Sequence, residues 1–483
     1  MNAYEPVIGL EVHAELSTKT KAFCSCEYQF GGEVNTQCCP GCIGMPGAKP
    51  VLNKMVVEYA LRMGLATDCQ INKVSKFDRK NYFYPDLAKG YQITQADIPI
   101  CQNGKIEFMH NGEKRKVRLT RIHIEEDTAK LLHESAFEST LIDFNRSGVP
   151  LIEIVSEPDL RSAEEAKDYL EAVRMLLGAL GICSCKMQEG VMRCDVNVSV
   201  RPVGADEYGT KVEMKNVNTF SGAMQAIEYE ANRQIRLLEA GKTFKQETRR
   251  WNENKCVSEP MRTKENAGDY RYFLEPDLAP LVIGDEWIEN VKKALPELPV
   301  AKYERYRALG LSENDCWILV ENIDKASYFE KCRQVGDISP KMIFNWISGH
   351  LSALLNKYNI TINDSPVSVE DICCILKMID KNEISNDAGK IILDEIFSSG
   401  GSPAEIVDRL SLAQVSDESE LIRLVRSVLE ANPKSIADYK NGKSNAFGFL
   451  VGQCMKVSKG KGNPQIINKL LRNSLDSMQQ NQI

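Results

Sequence analysis

The sequence predicts an α+β fold: a mixed or antiparallel sheet domain with helices, then an all-α helical domain and a small helical tail domain. Three observations predict it. Apolar and polar residues alternate with period two through much of the first 290 residues, the spacing of half-buried strands. The period turns helical after ALPELPVAKYERY, residues 294–306, where prolines punctuate the chain. Gly400-Gly401-Ser402-Pro403 then breaks the helical part ahead of a basic last section. The domains expected on these signals are 1–293, 294–405 and 406–483.

The elements follow in order. EPVIGLEVHAEL turns Ile8, Leu10, Val12, Ala14 and Leu16 to one side and Glu11, His13 and Glu15 to the other. In PLIEIVSEPD, Glu153 sits opposite Ile152 and Ile154. RCDVNVSVR sets Cys194, Val196, Val198 and Val200 against Arg193, Asp195, Asn197, Ser199 and Arg201. In GTKVEMKN, Lys211, Glu213 and Lys215 share a face. These patterns belong to strands with one wet side. Two helices interrupt them. Ser162 with Glu165 forms the signature of a capping box before EEAKDYLEAVRMLLGAL, and a second helix follows Ser221 and stops before Gly241. Near the C-terminus, NGKSNAFGFLVGQCMKVSKGKGNP places a helix between two Gly/Lys loops.

Composition narrows the class. A chain of 483 residues exceeds one core, and 43% hydrophobic with 26% charged residues is ordinary for a soluble protein. No apolar run reaches the length of a membrane span, and MNAYEPVIGLEVH lacks a basic start and an apolar signal core. A cytoplasmic protein is expected. Sixteen cysteines then read as metal ligands or buried thiols, because disulfide frameworks belong to oxidising compartments. The net charge of −7 does not advertise nucleic-acid binding, but it is uneven. Residues 431–483 hold seven Lys and one Arg against two Asp, a net of +6 on an otherwise acidic chain. Such a tail can touch phosphates, or can be a solvated basic surface.

Two places carry chemistry. Cys24-x-Cys26 is followed by Cys39-x-x-Cys42, with Pro40-Gly41 supplying a turn. Two close thiol pairs suit a tetrahedral zinc site, and four filled positions make it closed and structural. Cys38 is an additional thiol beside it, while Cys183-x-Cys185 has no second pair nearby and reads as plain thiols. The second place is the polar strand face: Glu11, His13, Glu15, Arg193, Asp195, Asn197, Glu213 and Lys215, joined by Arg121, His123, Glu125, Glu126 and Asp127 of RIHIEED. Acids with imidazole can hold a divalent cation, and Arg with Lys can hold phosphates. Any sheet with one wet face also shows polar alternation. Three consecutive carboxylates, however, repel unless cations neutralise them, and parity puts Glu126 on the side of Ile122 and Ile124, where it must be paired or at a frayed end. No P-loop, dinucleotide fingerprint or nucleophile elbow occurs in the sequence.

Longer stretches carry a resemblance. VIGLEVHAEL, SKFDRKNYFYPDLAKGYQITQ, RIHIEED, DFNRSGVPLIEIVSEPDLRS, EGVMRCDVNVSVRP, GTKVEMKNVNTF, QETRRWNE and MRTKENAGDYRYFLEPDL closely resemble the B subunits of tRNA-dependent amidotransferases. The resemblance resumes in DYKNGKSNAFGFLVGQCMKVSKGKGNPQIINKLL, and no inserted domain like that of the larger archaeal paralogue lies between 290 and 310. It implies a cradle-shaped first domain holding an ATP- and Mg2+-dependent kinase centre, with helical and tail domains that grip tRNA. There the side-chain carboxylate of mischarged Glu-tRNA(Gln) or Asp-tRNA(Asn) is phosphorylated and then amidated. The ammonia comes from the amidase, the A component of a complex in which a small C component is the third member. A scaffold that only binds tRNA is the competing reading.

Carried over by motif, Glu11 and His13 with Glu126 form the magnesium and phosphate environment, with Glu125 the alternative within its pair. Glu253 and Glu265 are further acids of the site, Glu253 a magnesium ligand. Arg193, Asp195, Asn197 and Lys215 are candidates for ATP or the tRNA 3′ end, and Arg262, Asp269, Tyr270 and Arg271 for the cradle. Cys24, Cys26, Cys39 and Cys42 match the branch of the family with a zinc knuckle, and Lys440, Lys443, Lys456, Lys459 and Lys461 are expected on tRNA phosphates. The sequence departs from the family at Ala129, usually glycine, and at Asn252, usually aspartate.

Overall fold

A computed structural model describes residues 4–133, 139–186, 189–263, 270–414, 418–440, 443–458 and 462–480. It divides into two compact units, Met1–Lys302 and Tyr303–Ile483. Among the described residues no helix is long and apolar enough to cross a membrane.

The first unit is built on one nine-stranded sheet. Its strands are β1 (Tyr4–Glu15), β2 (Gln70–Ile71), β3 (Cys101–His110), β4 (Glu113–Glu126), β5 (Pro150–Ser156), β6 (Met192–Pro202), β7 (Val212–Val217), β8 (Glu247–Asn252) and β9 (Val257–Thr263). They lie in the order β9-β8-β7-β6-β1-β5-β4-β3-β2. All pairings are antiparallel except β7 with β8. That parallel pair is the one joined by a long helix, Phe220–Glu239, which supplies the crossover that parallel strands require. The sheet is therefore mixed and mostly antiparallel, within the mixed or antiparallel sheet that the sequence predicts.

Strand β1 sits at the centre. Ile8, Leu10, Val12 and Ala14 are each at most 1% exposed and belong to one continuous core. Helices α1 (Lys54–Ala66), α2 (Ala163–Ala179) and α3, the crossover helix Phe220–Glu239, line that core, and Val291 of the short helix Asp285–Lys293 joins it. Helix α1 approaches β3 closely at Gly64, where an added Cβ would lie 2.3 Å from the Cys101 Sγ. The Ser162 hydroxyl caps α2, accepting the Glu165 N–H at 3.0 Å. The Glu165 carboxylate reaches one residue further back than a capping box, to the Arg161 N–H at 2.8 Å. Helix α3 begins earlier than expected after Ser221. Its cap is Thr219, whose hydroxyl accepts the Gly222 N–H at 2.9 Å.

The second unit is helical throughout its described secondary structure. Serine caps recur in it, with full capping boxes at Ser312/Asp315, Ser368/Asp371 and Ser402/Glu405. Near its end, helices Glu418–Ala431, Ser444–Val457 and Pro464–Gln480 close over Leu421, Val425, Leu450, Ile467 and Leu471. The helix predicted between the two Gly/Lys loops is Ser444–Val457.

Leu10→Ala should lower unfolding stability by about 2–5 kcal/mol, because the central strand cannot collapse onto the gap. Val203→Ala, at a position 62% exposed, should stay within about 0.5 kcal/mol. Urea unfolding of the two variants checks this, and equal shifts would refute the placement of the core.

Candidate active site

Five adjacent strands, β4, β5, β1, β6 and β7, set their polar parity side by side. The register pairs His13 with Glu153 on β5 and with Arg193 on β6, and Glu11 with Asp195. His123 on β4 stands across from Glu153. The His13 Nε2 lies 3.4 Å from Glu153 and 3.5 Å from Glu125, and the His123 Nε2 lies 3.2 Å from Glu153. One ligand atom from each of His13, Glu125 and Glu153 falls within 4.8 Å of the others. So do Glu11, Asp195 and Glu213. In the second group, the Lys215 ammonium already bridges Asp195 at 2.5 Å and Glu213 at 3.0 Å. Asn197 donates to Glu11 at 2.8 Å, and Thr248 donates to Glu213 at 3.0 Å.

The crowding sets the charge states. Burial opposes a proton on His13, but Glu153 and Glu125 outweigh it and push the imidazole up to about 9. Burial would raise Glu153, yet His123 and His13 hold it well below the usual carboxylate range. Glu11 goes the other way: burial and the Glu153 charge raise it, against the Asn197 hydrogen bond. Burial and the Asp127 charge lift Glu15 to about 7.

The run Glu125-Glu126-Asp127 is resolved by sending each carboxylate to a different cation. Glu125 faces His13. Glu126 has the parity of Ile122 and Ile124 and turns to the Lys89 ammonium and to the Ile93 N–H at 3.0 Å. Asp127 takes Arg193 at 2.7 Å and Arg146 at 3.4 Å, and these guanidinium groups keep it below its ordinary value despite burial. Glu126 is thus paired, and it lies off the polar face. Glu253 follows β8, three strands from β1, about 14 Å at the usual strand spacing of about 4.8 Å. Its carboxylate accepts from the Thr219 hydroxyl at 2.9 Å at the start of α3. The structure therefore does not bring together His13, Glu126 and Glu253, the set expected to hold magnesium; Glu125 and Glu153 stand beside His13 instead. Of the other expected residues, Arg193 is held by Asp127, Asp195, Asn197 and Lys215 join the polar face, and Glu265 lies outside the described residues.

The four predicted thiols do converge. The Cys42 Sγ lies 3.4 Å from Cys24, 3.7 Å from Cys39 and 3.8 Å from Cys26. Four sulfurs about 2.3 Å from a tetrahedral zinc are about 3.8 Å apart, so the residues fit that ion. Hydrogen bonding from Cys24 outweighs burial and brings the Cys42 thiol down to about 4, the charge state a metal ligand needs. Cys38 stands aside, its thiol on the Asn35 carbonyl at 3.4 Å. Lys21, fully buried, donates to the Cys42 sulfur at 3.4 Å.

Comparison with known proteins now bears on the site. The family model described as the GatB/GatE catalytic domain matches residues 6–289, which include all the residues above, and the model described as the GatB domain matches residues 327–475. The chain belongs to the GatB family. Proteins named as the B subunit of aspartyl/glutamyl-tRNA(Asn/Gln) amidotransferase are similar over nearly the whole length. That of Thermoanaerobacter pseudethanolicus is 53% identical over 473 residues, 98% of this chain and 99% of the relative. Those of Caldicellulosiruptor bescii and Clostridium botulinum are 52% and 49% identical, each over 98% of this chain and 100% of the relative.

In this GatB-family chain the two departures are accommodated. Ala129 is fully buried, its N–H on the Asp86 carbonyl at 2.9 Å, and its backbone is not left-handed, so no glycine is required. Asn252 donates to Glu259 at 3.2 Å. In the second unit Lys443 and Lys456 are exposed, and Lys443 pairs with Asp438 at 2.9 Å. Lys459, Lys461 and the Lys440 side chain lie outside the described residues. Sequence reasoning put His123 on the polar face but assigned no role to Glu153, whose parity was visible but whose place between His13 and His123 follows only from the strand order.

In metal-free buffer, histidine NMR should give a His13 midpoint near pH 9, falling by a unit or more in Glu153→Gln. The proton that folded His13 retains is lost by the unfolded chain above about pH 6.5, so this contribution is complete below that pH and disappears toward pH 9. A midpoint at 6.5 in both proteins would refute the pairing.

Proposed function

We propose that this chain is the transamidation subunit of a tRNA-dependent amidotransferase, a ligase that uses glutamine as nitrogen donor. The reading rests on the polar sheet face, where His13, Glu125 and Glu153 converge beside Glu11, Asp195 and Glu213. A carboxylate is a poor electrophile, so its conversion to an amide needs activation. The Glu or Asp side-chain carboxylate of Glu-tRNA(Gln) or Asp-tRNA(Asn) attacks the terminal phosphorus of ATP, and ADP leaves. Ammonia from a partner amidase then attacks the acyl carbon, and phosphate leaves.

The residues present suit the positioning and electrostatic work that such a transfer demands. Glu125 and Glu153 offer two carboxylates, a number typical of what protein supplies to Mg2+ where phosphates complete its shell. Bound there, Mg2+ would neutralise developing phosphoryl charge. His13 and His123 hold Glu153 as an anion. Glu11, raised by burial and then by its acidic neighbours, is the group suited to take the proton released when ammonia attacks. Lys215 fixes Asp195 and Glu213, and so the floor of the site. The cysteine cluster would hold zinc as a closed structural site, tying down the loop that follows β1. The exposed Lys443 and Lys456, with the neighbouring Lys440, Lys459 and Lys461, would meet tRNA phosphates from a helical and tail region spanning 294–483, in a complex with the amidase and a small third protein.

With those partners, ATP, magnesium and glutamine, ADP release should require mischarged tRNA. Glu125→Gln should reduce it by about 100-fold or more while tRNA binding persists. Unchanged ADP release in Glu125→Gln would place the chemistry elsewhere. Metal analysis of the purified chain should find one zinc, lost in the double variant Cys24→Ser/Cys39→Ser. Metal-free wild-type protein would dismiss the zinc reading.

A further inference from the structure

The charged groups of the polar face are almost all matched. Lys215 has Asp195 and Glu213, Arg193 has Asp127, Lys89 has Glu126, and the two histidines have Glu125 and Glu153. Two cations beside the histidine cluster stand outside these pairs. Arg121 lies on β4 two residues before His123 and four before Glu125, on the same side of the strand. Its guanidinium has no hydrogen-bond or ion-pair partner among the described residues, and its Nε is buried without one. Lys80 lies in the short strand Asp78–Asn81. Its ammonium also has no hydrogen-bond or ion-pair partner among the described residues. It rests against aromatic rings, 5.0 Å from the Tyr270 centroid and 5.7 Å from that of Tyr82.

These two cations belong to one place. The Tyr272 phenol feels both Lys80 and Arg121, together with the charge of Glu153. Lys80 in turn is held charged chiefly by Glu125, against its burial. Tyr270 packs edge-on to Tyr82 and to Tyr272 with centroids 6.0 and 5.9 Å apart, giving the cations an aromatic wall. A buried guanidinium donor with no acceptor is costly, because it has lost water and gained nothing. Here the cost is sustained at the border of the His13–Glu125–Glu153 cluster. An anion arriving there would be met by an Arg fork and a Lys point charge, the pairing that suits a tetrahedral oxyanion carrying two charges.

We propose that Lys80 and Arg121 form an oxyanion subsite that takes a phosphoryl group, walled by Tyr82, Tyr270 and Tyr272. The inference rests on the phosphoryl-transfer reading above and adds to it the residues that receive the phosphate. Two sources share this chemistry: the terminal phosphate of a bound nucleoside triphosphate, and free inorganic phosphate.

Calorimetric titration of the full chain with magnesium and three probes separates them: adenylyl imidodiphosphate, ADP and inorganic phosphate. Arg121→Gln and Lys80→Gln should each weaken the triphosphate analogue about ten- to hundredfold and leave ADP within about twofold, if the subsite takes the terminal phosphate. Loss of inorganic phosphate binding alone would support the same subsite with free phosphate as its occupant. Arg121→Lys, which keeps the charge but not the fork, should recover part of the loss, and circular dichroism should show the variants folded. Unchanged affinities for all three probes, or equal weakening of the analogue and ADP, would overturn the subsite. Wild-type protein that binds none of the three would instead overturn the phosphoryl-transfer reading on which it rests.

Discussion

The register of β1 is the constraint on which the site depends. This strand is hydrogen-bonded on both sides, to β5 and to β6, and its apolar parity is locked into the core by Ile8, Leu10, Val12 and Ala14. A slip of one residue would exchange every inward side chain for an outward one, burying Glu11 and His13 and exposing the core. The hydrophobic cost of that slip holds the charges in place. Glu11 and His13 need no local device to aim them, because four apolar neighbours aim them by alternation.

Once that register is set, the neighbouring strands bring like charges together. Carboxylates on five strands meet within a few ångströms, and unneutralised they would oppose the fold. The structure answers by distributing cations: Lys215 at one end, His13 and His123 in the middle, Arg193 and Arg146 at Asp127, and Lys89 on the reverse side at Glu126. His13 does so with a proton that it can lose near pH 9. A face built this way is preorganised, since its fields exist before any ligand arrives.

Much of this was legible in the sequence, and the limits have physical causes. Alternation in EPVIGLEVHAEL and RCDVNVSVR told which side of each strand a residue takes, because that depends only on neighbours along the chain. The same parity argument put Glu126 on the side of Ile122 and required it to be paired, and the structure supplies Lys89. Carrying Glu126 over by motif as a companion of His13 ran against that parity, and the strand geometry favours Glu125. Glu153 illustrates the complementary limit. Its side was readable, but its place between His13 and His123 depends on β5 lying between β1 and β4, a pairing across more than a hundred residues that no local pattern encodes. Cys24, Cys26, Cys39 and Cys42 were readable because two tight pairs close on themselves through short turns. Lys21 was not, because a lysine beside thiolates becomes notable only when it is seen to be buried. The helix starts divide similarly. Ser162 caps as expected, whereas the start of α3 moves to Thr219, whose hydroxyl also serves the distant Glu253.

The opposing shifts of Glu11 and Glu153 suggest how one sheet face can host two chemical steps. These acids occupy adjacent strands, and both are largely removed from water. Glu153 has two imidazoles and is driven to the anion. Glu11 has one amide and several carboxylates, and it is driven toward holding a proton. Where environments push two like groups apart, acid–base roles separate. The Glu153 side, with Glu125, is suited to keeping negative charge through a phosphoryl transfer. The Glu11 side is suited to accepting a proton as a neutral amine becomes an amide. In the proposed reaction, activation and amidation would need no change of fold between them, only a change in which neighbouring strand the reacting atom faces.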